Sequence, residues 1–174
     1  SREENSKVDL LHLDQPYRNT PIVNNFFETK PLAASMGAEV IIDDIMVISE
    51  EAFVELKKTL YHHKMIFFRD QDLTPENQKS FTLKFGSLGI DAYTSGLPDY
   101  PDIQPVIKEA STQSPLVFGG GWHTDSPFLE KPPAISLLYG IEVPPYGGDT
   151  IWYNSVLAYE SFSQDMKNIL KPLK

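Results

Sequence analysis

The chain has 174 residues, 41% of them apolar and 22% charged, which is enough for one domain with a hydrophobic core. A formal net charge of −9 argues against non-specific nucleic-acid binding, which needs a basic face, and no apolar run approaches the ~20 residues of a membrane span. Cysteine is absent, so disulfides, thiolate metal sites and thiol nucleophiles are excluded; with no signal-like apolar segment after Ser1-Arg2-Glu3, a cytoplasmic protein is expected.

Residues 1–33 are polar and irregular apart from Val8–Leu13, a short edge strand, with Pro16 and Pro21 interrupting anything longer. Gly37–Ile42 reads as a strand stopped by Asp43 and Asp44. Ser49 is placed to cap a helix with Glu50 and Glu51 in its first turn, and Phe53, Leu56 and Leu60 share one face. That helix should end near His62-His63-Lys64, both histidines being helix-end residues. Met65–Arg69 is a buried strand, with Arg69 expected in a structural salt bridge. Thr74-Pro75-Glu76 opens a second helix, Phe81 and Phe85 give it an apolar face, and Gly86 ends it.

Beyond a loop over 87–102, Ile103–Ile107 reads as a strand. Residues 110–121 are irregular and finish in Gly119-Gly120-Gly121; loops of that length inside a domain usually serve function. Ala134–Glu142 and Asp149–Tyr153 read as strands on either side of a Pro-Gly turn. Asn154 and Ser163 each cap a short helix, the second running toward Leu170. About six strands and two longer helices near the front make a mainly β domain with flanking helices, either helices on an antiparallel sheet or a partly assembled jelly roll.

The stretch richest in chemistry is Trp122-His123-Thr124-Asp125, directly after the glycines. In an extended segment residues i and i+2 face the same way, so the His123 imidazole and the Asp125 carboxylate are able to close on one metal ion. A nitrogen and a carboxylate oxygen suit a 2-His-1-carboxylate Fe(II) site. Taken alone, the pair also reads as a hydrogen-bonded loop contact. Trp122, Phe118, Phe128 and Trp152 are expected in the core or a pocket wall, and His12 on the surface.

Several stretches in order resemble the taurine dioxygenase/2,4-D dioxygenase family of Fe(II)- and 2-oxoglutarate-dependent oxygenases. They are Gly37-Ala38-Glu39-Val40, Met65 to Gln71 followed by Leu73-Thr74-Pro75, Phe85-Gly86, Trp122 to Asp125, Pro132-Pro133 and Gly147-Gly148-Asp149-Thr150. The resemblance implies a double-stranded β-helix, the jelly-roll form, with His123 and Asp125 as two of three protein ligands to Fe(II). It implies that the Thr150 hydroxyl binds a carboxylate of the cosubstrate 2-oxoglutarate. The implied reaction uses O2 to hydroxylate a small organic molecule and releases succinate and CO2.

The family's third ligand is a histidine far downstream, followed by a cosubstrate-binding arginine. Here no histidine follows His123, and the only arginines are Arg2, Arg18 and Arg69. The expectation is therefore one catalytic-type domain over 1–174 that lacks its C-terminal part, with the jelly roll incomplete and the enzyme continuing past Lys174. The family position that helps hold taurine's sulfonate is Asp91 here, and its substrate-side asparagine is Gly119. A carboxylate repels a sulfonate, so taurine is disfavoured and a neutral or cationic substrate is expected, with Tyr93 and Phe128 lining the pocket. A different class of function is an inactive jelly-roll fragment serving as an interaction module. A hydrolase using His123 and Asp125 lacks a nucleophile elbow. Unpaired sheet edges invite a homo-oligomer.

Overall fold

The computed structural model describes residues 19–89, 95–109 and 120–173. The expected strand at Val8–Leu13, together with His12, Asp91, Tyr93, Phe118 and Gly119, lies outside the described residues. The chain divides into two compact units, one made of Ser1–Gln71 and Pro144–Lys174, the other of Asp72–Val143.

The first unit is built on a three-stranded sheet in the order β1-β2-β3, with β1 at Glu28–Pro31, β2 at Ala38–Ile41 and β3 at Ile66–Phe67. β1 runs antiparallel to β2, pairing Thr29 with Val40, and β2 runs parallel to β3, pairing Ala38 with Ile66. A parallel pair needs a crossover, and helix α1 (Glu50–His63) supplies it. Ser49 accepts a hydrogen bond from the Ala52 N–H, capping α1 as its sequence predicts. Hydrogen bonds from its own backbone N–H and from Ser49 hold the Glu51 carboxyl below its ordinary pKa. α1 buries Ala52, Phe53, Leu56, Thr59 and His63, which recur at helical spacing. The core they form with Ala38 and Val40 is what holds β2 and β3 against the helix.

α1 ends at Lys64, whose φ of 68° is the left-handed conformation of a helix C-cap. Gly37 donates its N–H to the His63 carbonyl at 2.8 Å with φ at 90°, and a Cβ there would press on the Met65 side chain. His63 is at the predicted helix end, but it is fully buried rather than peripheral. Its Nδ1 donates to Asn19 Oδ1, while Asn19 Nδ2 donates to the carbonyls of Ala33 (2.7 Å) and Gly37 (2.8 Å). Nε2 of His63 is buried without a partner among the described residues. Removal from water, then the nearby His62 and Lys64, push the His63 pKa down to about 4.

β1 was not expected from the sequence; it ends in proline and alternates exposed with half-buried residues, as an edge strand does. The predicted Arg69 salt bridge is present, with Nε 3.0 Å from Glu39 Oε1. In the same unit Asn154 and Ser163 cap α3 (Ser155–Glu160) and α4 (Gln164–Leu170).

In the second unit Thr74 caps α2 (Pro75–Leu83), and Phe81 meets Phe85 edge-on at 5.5 Å. Lys79 reaches Asp102 at 2.7 Å, and that hydrogen bond raises the lysine's pKa. The turn over Leu97–Ile103 closes tightly enough that a Cβ on Gly96 would collide with the Pro101 carbonyl.

Three predicted strands, Ile103–Ile107, Ala134–Glu142 and Asp149–Tyr153, are irregular instead. The physical reason is pairing: β-rich composition describes a segment that fits a ladder, and none of the three has a ladder partner among the described residues. Three strands are therefore present where about six were expected, in a small sheet flanked by helices with no closed barrel among the described residues. Trp122, Phe128 and Trp152, expected in the core or a pocket wall, are exposed.

Candidate metal centre

His123 and Asp125 lie in the unit Asp72–Val143, in a segment without regular secondary structure. Their side chains meet as the i, i+2 spacing predicts, with His123 Nε2 3.4 Å from Asp125 Oδ1. Each has a second partner that orients it. His123 Nδ1 lies 2.8 Å from the Gly121 carbonyl oxygen. A carbonyl only accepts, so Nδ1 carries the proton and a neutral ring leaves Nε2 with a bare lone pair. Ser136 Oγ donates to Asp125 Oδ2 at 2.6 Å.

Asp125 is followed by Ser126, whose φ of 43° is in the left-handed region that costs an L-residue on the order of 1 kcal/mol. Ser126 then accepts from the Leu129 N–H at 3.2 Å, turning the chain immediately behind the carboxylate.

The donor set fits a divalent metal. A lone pair on Nε2 and another on Oδ1, converging at 3.4 Å, repel until a cation lies between them or Nε2 is protonated. Two ligands each ~2.1 Å from one ion are about 3.0 Å apart at a right angle and about 3.4 Å at a tetrahedral one, which brackets the observed spacing. Among the described residues no group of three histidine, cysteine, aspartate or glutamate side chains converges on a point where a metal ion could be held.

The other predicted site residues fall differently. Thr150 belongs to the unit that contains Pro144–Lys174 and is exposed, on a segment without a strand. Phe128 is in the unit of His123 and is exposed. Asp91 and Tyr93 are outside the described residues. Ser136 was missed by the sequence reading. The structure supplies the signal that sequence lacks: Ile135, Leu137 and Tyr139 are half-buried while Ser136, Leu138 and Gly140 are exposed. That period of two puts a lone hydroxyl on the open face of an apolar segment. No helix among the described residues is long and apolar enough to cross a membrane.

Comparison with known proteins agrees with the motif. Residues 28–174 match the profile of the family described as taurine catabolism dioxygenase TauD, TfdA family. The chain is 31% identical over 148 residues to an alkylsulfatase of Acinetobacter baylyi, covering 84% of this chain and 45% of that protein. It is 28% identical over 148 residues to an alpha-ketoglutarate-dependent sulfate ester dioxygenase of Pseudomonas putida, covering 84% and 48%. Among solved structures, a taurine dioxygenase from Burkholderia xenovorans superposes with a TM-score of 0.70 at 32% identity, over 84% of this chain and 51% of that one. The chain thus spans about half the length of the curated relatives it matches. On the extent of the profile match and the ordered motifs inside it, this chain belongs to the TauD/TfdA family.

Proposed function

We propose that the protein to which this chain belongs is an Fe(II)- and 2-oxoglutarate-dependent dioxygenase that hydroxylates a small organic substrate. One atom of O2 enters the substrate C–H bond as a hydroxyl and the other enters succinate, as 2-oxoglutarate loses CO2. The observation that carries this reading is the convergence of His123 Nε2 and Asp125 Oδ1 at 3.4 Å, inside a chain of this family.

His123 and Asp125 would hold the iron, which when bound supplies oxygen activation. Gly121 keeps the imidazole in the tautomer that offers Nε2. By the family resemblance, the Thr150 hydroxyl would donate to a carboxylate of 2-oxoglutarate. The third ligand and the arginine for the cosubstrate would be supplied by the remainder of the protein, a reading supported by the chain spanning about half the length of the curated relatives it matches. The complete domain is a double-stranded β-helix, a reading supported by the likeness to the taurine dioxygenase. The alternative of an inert interaction module has no comparable support, since the relatives are named as enzymes.

Two substrate readings compete. Asp91 favours a neutral or cationic molecule with Tyr93 and Phe128 on the pocket wall. The relatives favour an anionic one, since one is named for sulfate esters and another, from Saccharomyces cerevisiae, for sulfonates. A panel of alkyl sulfates, alkyl sulfonates, alcohols and amines, scored by succinate formation with the full-length protein, separates them. Preference for the sulfates or sulfonates rejects the Asp91 reading.

The activity itself is tested by anaerobic titration of the full-length protein with Fe(II) and 2-oxoglutarate. A visible charge-transfer band is expected, and it should vanish in His123→Ala. A band unchanged in that variant rejects the assignment.

A further inference from the structure

We propose that Ser136 is a positioning residue for the metal-binding carboxylate, occupying one oxygen of Asp125 so that the other is presented to the same point as His123 Nε2. The inference rests on His123 and Asp125 being the metal ligands.

A carboxylate has two equivalent oxygens and rotates about two torsions. On a half-exposed side chain, nothing intrinsic decides which oxygen faces the imidazole. Ser136 decides it. Its hydroxyl is 2.6 Å from Oδ2, a length typical of a strong hydrogen bond to an ionised acceptor, while Oδ1 is the oxygen 3.4 Å from Nε2. Serine has a single proton to give, so one oxygen is engaged and the other keeps its lone pairs.

The direction of the Ser136 hydroxyl is set independently of Asp125. Its segment turns Ile135, Leu137 and Tyr139 inward on alternate residues, which leaves Ser136 on the outward face. The Tyr139 hydroxyl accepts from the Leu73 N–H at 3.2 Å, anchoring that segment to the residue just before Thr74, the cap of α2. Each ligand therefore has one orienting partner. For His123 it is the Gly121 carbonyl two residues earlier, and for Asp125 it is a hydroxyl 11 residues later. Partners of this kind hold ligand geometry at metal sites, and their loss costs roughly 10–100-fold in metal affinity.

The test uses the full-length protein under anaerobic conditions with Fe(II) or Co(II) alone, so that it does not depend on turnover. Ser136→Ala is expected to weaken Fe(II) binding about 10-fold. It should also alter the visible spectrum of bound Co(II), because Asp125 is then free to present either or both oxygens. Ser136 is exposed, so the melting temperature of the metal-free protein should not change. Ser136→Thr, which keeps the hydroxyl, should restore affinity and spectrum. Wild-type affinity in Ser136→Ala overturns the proposal. So does an equal loss in the threonine variant, or a metal-free melting temperature that falls along with affinity. His123→Ala separates the two levels of argument. If it binds metal as wild type does, the metal site fails and this inference with it. If it loses metal while Ser136→Ala does not, the role of Ser136 alone is rejected.

Discussion

Between Ala38 and His63 the chain buries a core of apolar residues, although Val47, Val54 and Tyr61 stay exposed; between Trp122 and Tyr153 no residue is fully buried. Val40, Phe53 and Leu56 are nearly inaccessible, whereas Trp122 is 68% exposed and Ile141 89% exposed. Composition does not explain the contrast, because both stretches are rich in β-branched and aromatic residues. Hydrogen-bond closure does. α1 closes its bonds within its own 14 residues, and the strands it connects lie side by side. A strand has no such internal solution and needs a neighbour. Residues 135–140 still alternate half-buried with exposed, but no ladder among the described residues takes them up. Periodicity reports which face a segment turns inward, and a partner decides whether it becomes a strand.

The largest expected effect tests that contrast directly. Leu56→Ala removes a fully buried side chain from α1 and should cost about 3 kcal/mol of unfolding free energy. Ile141→Ala should stay within about 0.5 kcal/mol. Urea unfolding of both variants gives the comparison. A cost above about 1 kcal/mol at Ile141 would show that the residue is covered in solution, and the contrast would fail.

The same division governs what was readable in the sequence. Ser49, Thr74, Asn154 and Ser163 each announce a helix because their side chains satisfy backbone donors three residues on. The strand at Gly37–Ile42 and the pairing of Arg69 were legible for similarly local reasons. Ile103–Ile107, Ala134–Glu142 and Asp149–Tyr153 look as β-like as β2, yet their state depends on neighbours that local pattern does not specify. At the site, the i, i+2 spacing made the meeting of His123 with Asp125 legible. Ser136 was not, because an isolated serine acquires its role from a contact 11 residues away. His63 was placed at the helix end but its burial was overlooked, although it continues the Leu56–Thr59 face at helical spacing.

That buried histidine gives the next effect, confined to the α1 frame. His63 has a folded pKa of about 4, below its ordinary 6.5, so the unfolded chain binds the additional proton between those values. Stability therefore falls as pH drops from about 6.5 toward 4, by on the order of 3 kcal/mol, and this penalty is absent above pH 6.5. Unfolding free energies of wild type and His63→Gln from pH 4 to 7.5 isolate it, since the other titrating groups are common to both. The difference should have a slope in that window and be flat above it. Parallel curves would mean that His63 is hydrated, and the frame would then be less tightly closed than its burial indicates.

The smallest effect concerns the ion pair on the same frame. Arg69 follows β3 and its Nε reaches Glu39 of β2 at 3.0 Å, with the guanidinium 4.9 Å from the Phe67 ring centre. The arginine side chain is 66% exposed, so water and salt screen most of the attraction. Arg69→Gln should cost about 0.5 kcal/mol or less, and the cost should shrink further in 1 M salt, as followed by urea unfolding at both ionic strengths. The comparison with Leu56→Ala carries the argument. If burial holds β2 and β3 to α1, removing the ion pair is nearly silent while removing one leucine is not. A loss at Arg69 as large as the loss at Leu56, unchanged by salt, would make the charge pair the fastening of the sheet and reverse that order.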